Sequence, residues 1–307
     1  MHKKSVHWTD GIPNWHNVNM SQSFGEPATY YMQSGDEKHL EAPERNFAGI
    51  RELYGHVPGG MFASDENCRE GLYDPRQSVE TCGMVEMMLS TETLFTITGD
   101  PVWADRCEDV AFNSYPASLT EDMKALRYMT SPNMVQSDKT PKNPGIQNGG
   151  PMFHMNPHRH RCCQHNQGHG WPYYAEHLWL ATADNFIASA FYSANTVNAR
   201  VGNGVNVSIT EETNYPFEEV VEFVINPDKK VSFPLYLRIP TWCSQTAVEL
   251  NGEDQDIDFV RGFIRIEKTW EPGDIVRLSL PMAIGVRTWE KNKNSVSIDY
   301  GPLSFSL

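Results

Sequence analysis

The sequence predicts a multi-domain chain, helical in its first part and β in the rest. Three observations carry that expectation. Helical periodicity dominates up to about residue 184, and alternating patterns begin at Asn185. Within the helical part a short motif recurs at an offset of 64 residues, Gly35 to Gly99. The expected organisation is a helical unit over residues 1–184, a β-sandwich over 185–290, and the start of a further β segment over 291–307.

The first helical hairpin follows from residues 17–34, which end at Ser34-Gly35-Asp36. A glycine stops a helix in a left-handed turn, and an aspartate caps the next one, here roughly 36–54. Residues 82–98 repeat the theme and end at Thr98-Gly99-Asp100. The following helix runs from Pro101 to Tyr115, with the proline in the first turn, where its missing N–H costs nothing. Glu44 and Glu108 fall at matching positions. The repeat points to stacked hairpins, as in an α/α toroid, with a plain bundle as the alternative. Residues 116–160 read as loop, with Pro132, Pro141, Pro144 and Pro151. A last helix is expected over 166–183, where Trp171, Tyr174, His177, Leu178 and Ala181 fall near helical spacing.

From Asn185 the runs 186–192, 205–210, 219–225, 231–239, 263–266 and 275–280 alternate as strands. Turn signals such as Asn251-Gly252 and Pro272-Gly273-Asp274 separate them, as in an antiparallel sandwich. The pattern stops within a strand at Ser304–Leu307. Five helices are also too few for a six-hairpin toroid, so the sequence reads as truncated at both ends.

Composition narrows the function. The chain has 307 residues and a formal net charge of -14. A nucleic-acid partner needs a basic face to neutralise phosphates, and only Arg159–Arg161 interrupts the acidity. A neutral ligand fits best, and aromatic residues at 11% suit a sugar. No run is long and apolar enough for a membrane span, and Met1–Trp8 has charge without an apolar run after it, so no signal peptide is read. Six cysteines without a framework pattern point to a reducing compartment such as the cytoplasm, or to a metal that holds the thiolates.

The cysteines carry the chemistry. Cys162 and Cys163 are adjacent, and Cys82 follows Glu80-Thr81. Three thiolates and a carboxylate suit a tetrahedral zinc ion, which makes Glu80, Cys82, Cys162 and Cys163 the candidate ligands. Glu80 and Cys82 would diverge on a helix but share a side in extended chain, so the helix is expected to begin at Cys82 or just after. Asp74-Pro75 is a competing helix start. Cys68, Cys107 and Cys243 read as small buried hydrophobes. The rival metal site is histidine-based: six of eleven histidines lie between His154 and His177, and His165 and His169 are one helical turn apart. The residues between them, Asn166-Gln167-Gly168, hold no acid, so a metalloprotease site is not supported.

Taken together, Glu80-Thr81-Cys82, the Cys162-Cys163 pair with Asn166, Phe153-His154-Met155-Asn156-Pro157, and the paired Gly-Asp hairpins resemble the β-L-arabinofuranosidase family of glycoside hydrolases. Trp270-Glu271-Pro272-Gly273-Asp274 and Tyr300-Gly301-Pro302-Leu303 add to the resemblance. It implies part of an (α/α)6 barrel followed by an antiparallel β-sandwich, Zn2+ as cofactor, and a carbohydrate substrate. It also implies a retaining mechanism with Cys162 as nucleophile and Glu66 as general acid/base, Glu70 being the alternative. His16 and His154 stand at substrate-binding positions. Gln164-His165 follow the cysteine pair where the arabinofuranose-directed members carry two prolines, which places polar groups beside the nucleophile. Two other readings compete: a non-catalytic carbohydrate-binding protein with a structural zinc, and a zinc lyase or hydrolase that uses the histidine-rich segment.

Overall fold

The computed structural model describes residues 16–64, 68, 78–132, 153–154 and 161–306. The helical part begins with α1 (Asn17–Ser23), α2 (Glu26–Ser34) and α3 (Glu37–Tyr54). A two-residue strand, β1 (Val79–Glu80), leads directly into α4 (Thr81–Thr98), and α5 (Pro101–Asp109) follows. After α5 come a π-helical turn over Val110–Ser114 and a short 3-10 turn over Pro116–Ser118. Three two-residue strands, β2 (Leu126–Arg127), β3 (Met129–Thr130) and β4 (Phe153–His154), precede α6 (Arg161–Gln167) and α7 (Gly170–Glu176).

The 64-residue repeat is visible as backbone geometry. Gly35 and Gly99 adopt the left-handed conformation at φ 63° and φ 66°, each donating its N–H to a carbonyl four residues back. Asp36 and Asp100 each accept from the backbone N–H two residues on, both at 3.1 Å. The stop and the cap therefore use the same atoms twice. The two hairpins meet where Arg106 of α5 forks onto Glu44 of α3 and lies over the Phe47 and Trp103 rings. Helix α4 is buried on nearly every face, through Met84, Val85, Met87, Met88, Leu94 and Phe95, and forms the centre of the helical core.

Some elements differ from the sequence expectation. The segment 17–34 is two helices, because the chain turns at Phe24-Gly25, where a side chain on Gly25 would press Leu94. The helix expected to Tyr115 widens into the π turn from Val110. The helix expected over 166–183 is instead α6 and α7, broken near Gly168. Leu178 to Ala181 is already leaving for the sheet as β5 (Trp179–Ala181). Apolar residues at helical spacing there serve a strand, since a short apolar run fits either period.

The β part continues with β6 (Ile187–Ser189), β7 (Asn195–Val201), β8 (Val205–Thr213), β9 (Val220–Pro227) and β10 (Val231–Arg238). It goes on through β11 (Ala247–Leu250), β12 (Glu253–Asp254), β13 (Phe259–Val260), β14 (Phe263–Trp270) and β15 (Asp274–Ser279). One sheet has the order β13-β14-β10-β6-β5, and the other β12-β11-β15-β9-β8-β7. Both contribute to one core: Leu235, Leu237, Ile264 and Trp270 from the first, Ile209, Phe223, Val276 and Leu278 from the second. The pairing is not wholly antiparallel, because β6 and β10 run parallel. The intervening strands β7 to β9 belong to the opposite sheet, so the chain returns in the same direction. A three-stranded meander, β16 (Ile284–Trp289), β17 (Ser295–Tyr300) and β18 (Leu303–Phe305), closes the described chain.

Alternation along β10 turns Leu235 and Leu237 into the sheet core and Arg238 toward the helices. Arg238 is fully buried there and pairs with Asp105, at 2.6 Å, and Glu108 of α5. Glu108 also accepts from Tyr215 at 2.9 Å, and Thr241 N–H donates to Asp105 at 2.9 Å. Glu44 and Glu108 thus occupy matching repeat positions with different tasks, one on the surface of the hairpin stack and one locking the helices to the sheet. Arg287 of β16 adds a second tie, to Asp109, at 3.1 Å.

Candidate metal centre and active site

The site is built where β1 becomes α4. Glu80 is extended (φ -73°, ψ 136°) and caps a helix that starts at Thr81. The switch is held from the side: Glu80 pairs with Met129 in the β1–β3 ladder, Thr81 N–H donates to Tyr128 O at 3.1 Å, and Thr81 Oγ1 donates to Arg127 O at 2.7 Å. This extended-to-helical step is what lets Glu80 and Cys82 converge. The alternative start at Asp74-Pro75 lies outside the described residues.

Helix α6 supplies the vicinal pair. Cys163 is buried and Cys162 exposed. Cys82 Sγ and Cys163 Sγ are hydrogen-bonded at 3.2 Å, and Cys163 Sγ lies 3.5 Å from Glu80 Oε1. The ligand atoms of Glu80, Cys82, Cys162 and Cys163 all lie within 4.8 Å of one another. Tetrahedral zinc with bonds of about 2.3 Å to sulfur spaces its sulfurs by about 3.8 Å, and the donor atoms here, from 3.2 Å between two sulfurs out to 4.8 Å, bracket that spacing, so the set fits such an ion after small side-chain adjustments. Three soft thiols disfavour magnesium or calcium, which take oxygen. None of the six cysteines is in a disulfide.

Of the three thiols, Cys82 ionises most readily. Cys82 is lowered to about 7, chiefly because the Cys163 thiol donates to it, with Asn166, Cys162 and Glu80 assisting against the opposing effect of burial. Its place in the first turn of α4 favours the thiolate too. Cys163 is pushed far up by that same hydrogen bond to Cys82 and by burial. Burial and the charge on Cys82 raise Cys162 to about 11. A divalent cation held here would displace the remaining protons.

The other sequence candidates are distributed unevenly. His16 is half-buried at the N-cap of α1. Its neighbour Asn17 is fully buried, with Oδ1 only 1.6 Å from where a Cβ on Gly83 would stand, so the starts of α1 and α4 are in direct contact. His154 lies in β4, with its backbone opposite Leu126, and Leu126 packs with Cys82 and Cys163. Glu66 and Glu70 lie outside the described residues. His165 and His169 are exposed, and among the described residues the metal-ligand cluster contains no histidine. Cys68, Cys107 and Cys243 are buried. Of two supporting residues, sequence reasoning cited Asn166 only as part of the family resemblance and passed over Tyr115. Asn166, one helical turn after Cys162, stabilises the Cys82 thiolate. Tyr115 donates its hydroxyl to Gln167 O at the end of α6, and its ring leaves no room for a Cβ on Gly170. The spacing of Asn166 was a usable signal, whereas the Tyr115 contact is visible only in three dimensions.

A thiol–carboxylate cluster at a strand-to-helix step, on a helical unit joined to a sheet-rich one, is a site that could hold a metal ion beside an exposed thiol. The sequence profile of the β-L-arabinofuranosidase GH127 catalytic domain matches residues 2–176, and that of the GH127 middle domain matches residues 186–282. The chain belongs to the GH127 β-L-arabinofuranosidase family. Among solved structures it is similar to a GH127 β-L-arabinofuranosidase from Geobacillus stearothermophilus T6, with TM-score 0.82 and 20% identity over 99% of this chain and 49% of that one. A protein described as a glycoside hydrolase gives TM-score 0.82 and 20% identity over 99% and 53%. A GH127 β-arabinofuranosidase gives 0.78 and 17% over 99% and 49%. The chain spans about half the length of these structures. No curated protein sequence matches it.

Proposed function

We infer that this chain carries the reaction centre of a retaining glycoside hydrolase that releases an L-arabinofuranose-like sugar. The observation that carries the reading is the convergence of Glu80, Cys82, Cys162 and Cys163 within 4.8 Å, with Cys162 alone exposed among the three thiols. A nucleophile must be reachable, and its fellow ligands need not be. Family membership supplies the reaction class, and the names of the similar solved proteins supply the sugar.

Glu80, Cys82, Cys162 and Cys163 would hold a zinc ion, which when bound would keep the thiolates ionised at neutral pH and improve sulfur as a leaving group. In the first step Cys162 Sγ bonds to the anomeric carbon as the bond to the leaving oxygen breaks. Glu66 gives its proton to that oxygen. In the second step water attacks the same carbon, the carbon–sulfur bond breaks, and Glu66 takes the water proton. Asn166 and Cys163 orient the cluster from within α6, while His16 and His154 are assigned to the sugar. The helical residues 1–184 are read as part of an (α/α)6 barrel, residues 185–290 as its β-sandwich, and 291–307 as the start of a further β segment.

Elemental analysis under reducing conditions, with hydrolysis of an aryl L-arabinofuranoside by the full-length protein, tests this. About one zinc per chain is expected in wild type and little in Cys82→Ser. Cys162→Ser is expected to lose hydrolysis. If Cys162→Ser hydrolyses at the wild-type rate, the nucleophile assignment fails. If wild type binds zinc and sugar but Cys162→Ser changes nothing else, the protein is a non-catalytic binder.

A further inference from the structure

We propose that a cavity on the opposite face of the β1–β3 ladder from Glu80 is a second carbohydrate-binding site, for one or two units of a neutral sugar. The choice of an arabinose-type sugar rests on the glycosidase reading, while the cavity itself does not. Residues directly opposite in an antiparallel ladder point to the same face, and successive residues point to opposite faces. Glu80 and Met129 form one such pair, and Val79 and Thr130 form the next. Met129 packs with Cys82 and Cys163, so that face looks into the cluster. Val79 and Thr130 line the cavity on the other side. The two sites therefore share one two-stranded wall.

The cavity measures about 510 Å³, within the usual range for small-molecule sites. Among the described residues no ionisable side chain lines it, although the chain carries 25 basic and 39 acidic residues. An ionic ligand would find no counter-charge there, so a neutral one is selected. One ring at the cavity is far more exposed than phenylalanine normally is, Phe217 at 75%, and the Phe305 ring lines the cavity too. An exposed ring beside a concave surface marks a contact surface. The hydroxyls of Thr130, Ser131 and Ser306 also line it, and no side-chain hydrogen bond among the described residues engages them. A sugar presents C–H bonds on one face and hydroxyls around its edge. The C–H face suits the electron-rich faces of Phe217 and Phe305, and the edge suits the three hydroxyls. The lining combines both, which a purely apolar ligand would not require.

The test is calorimetric titration with linear arabinotriose in the Cys162→Ser background, which stops turnover. Two sugar sites per chain are expected. Adding Phe217→Ala and Phe305→Ala is expected to weaken one of them about tenfold or more, and the same two substitutions in the wild-type chain are expected to leave zinc content unchanged. Ser131→Trp, which fills the cavity, should do the same and guards against misfolding of the double variant. A single site lost with the ring variants supports the cavity and counts against sugar binding at the cluster. A single site unaffected by them overturns the proposal and leaves the reaction centre standing. Absence of saturable binding also overturns it. So does a loss of self-association in the ring variants without a change in sugar affinity, because the rings would then be meeting a second copy.

Discussion

Gly83→Ala is the most discriminating perturbation of the centre, because its sign contradicts what helix propensity dictates. Gly83 lies in the first turns of α4, one residue after Cys82. Replacing glycine by alanine within a helix ordinarily stabilises by about 1 kcal/mol. Here the new Cβ would stand 1.6 Å from Asn17 Oδ1 and 2.7 Å from its Cγ, with Asn17 fully buried. The amide must move, and its Nδ2 then loses Ser64 Oγ. Overpacking costs about 1–3 kcal/mol and the lost buried hydrogen bond about 1 kcal/mol more, so net destabilisation is about 1–3 kcal/mol after the propensity gain. Because α4 begins at the ligand-bearing step, the displacement should also weaken zinc retention.

Urea unfolding and competition with a chelator measure the two effects. Asn17→Ala vacates the same space and alone should cost about 2 kcal/mol. With both substitutions the clash is gone, so the double variant should be no less stable than Asn17→Ala, giving a coupling of about 2 kcal/mol. Additive costs would refute the reasoning, since they would mean that Gly83 and Asn17 do not compete for one volume. A stabilised Gly83→Ala would refute it more directly.

Three further outcomes follow from buried groups. Arg238→Met strands Asp105 and Glu108 without their cation, and should cost about 3–5 kcal/mol and make the helical part more protease-sensitive at constant zinc content; a cost under about 1 kcal/mol would deny the tie between helices and sheet. Glu211, buried and accepting only from Ser193 N and Asn195 Nδ2, is raised by burial to about 8. The folded state therefore holds a proton that the unfolded state has released, and this group should erode stability as pH rises from about 4.5 to 8, by at most about 5 kcal/mol. Melting across that range should show a shallower decline in Glu211→Gln than in wild type. Gly170→Ala forces a Cβ within 2.5 Å of the Tyr115 ring and should shift α6, seen as lower zinc affinity of wild-type-like folded protein.

What the sequence disclosed depended on whether a residue's partner was local. Gly35-Asp36 and Gly99-Asp100 were legible because stop and cap use atoms within four residues. The extended conformation at Glu80 was legible because two ligands two apart demand it, and the vicinal cysteines announced a site by themselves. The turn at Gly25, the parallel β6–β10 pair and the strand at Trp179 were not, since each is decided by tertiary neighbours. Asn17 states the limit most clearly. In the sequence it is an ordinary polar residue at a helix start; in the fold its amide fills the volume that makes Gly83 obligatory and sets the distance between His16 and the turn that carries Cys82. The cluster residues could be named from their chemistry, but the residues that hold them within 4.8 Å of one another are chosen by shape, and shape is a property of contacts that sequence spacing does not encode.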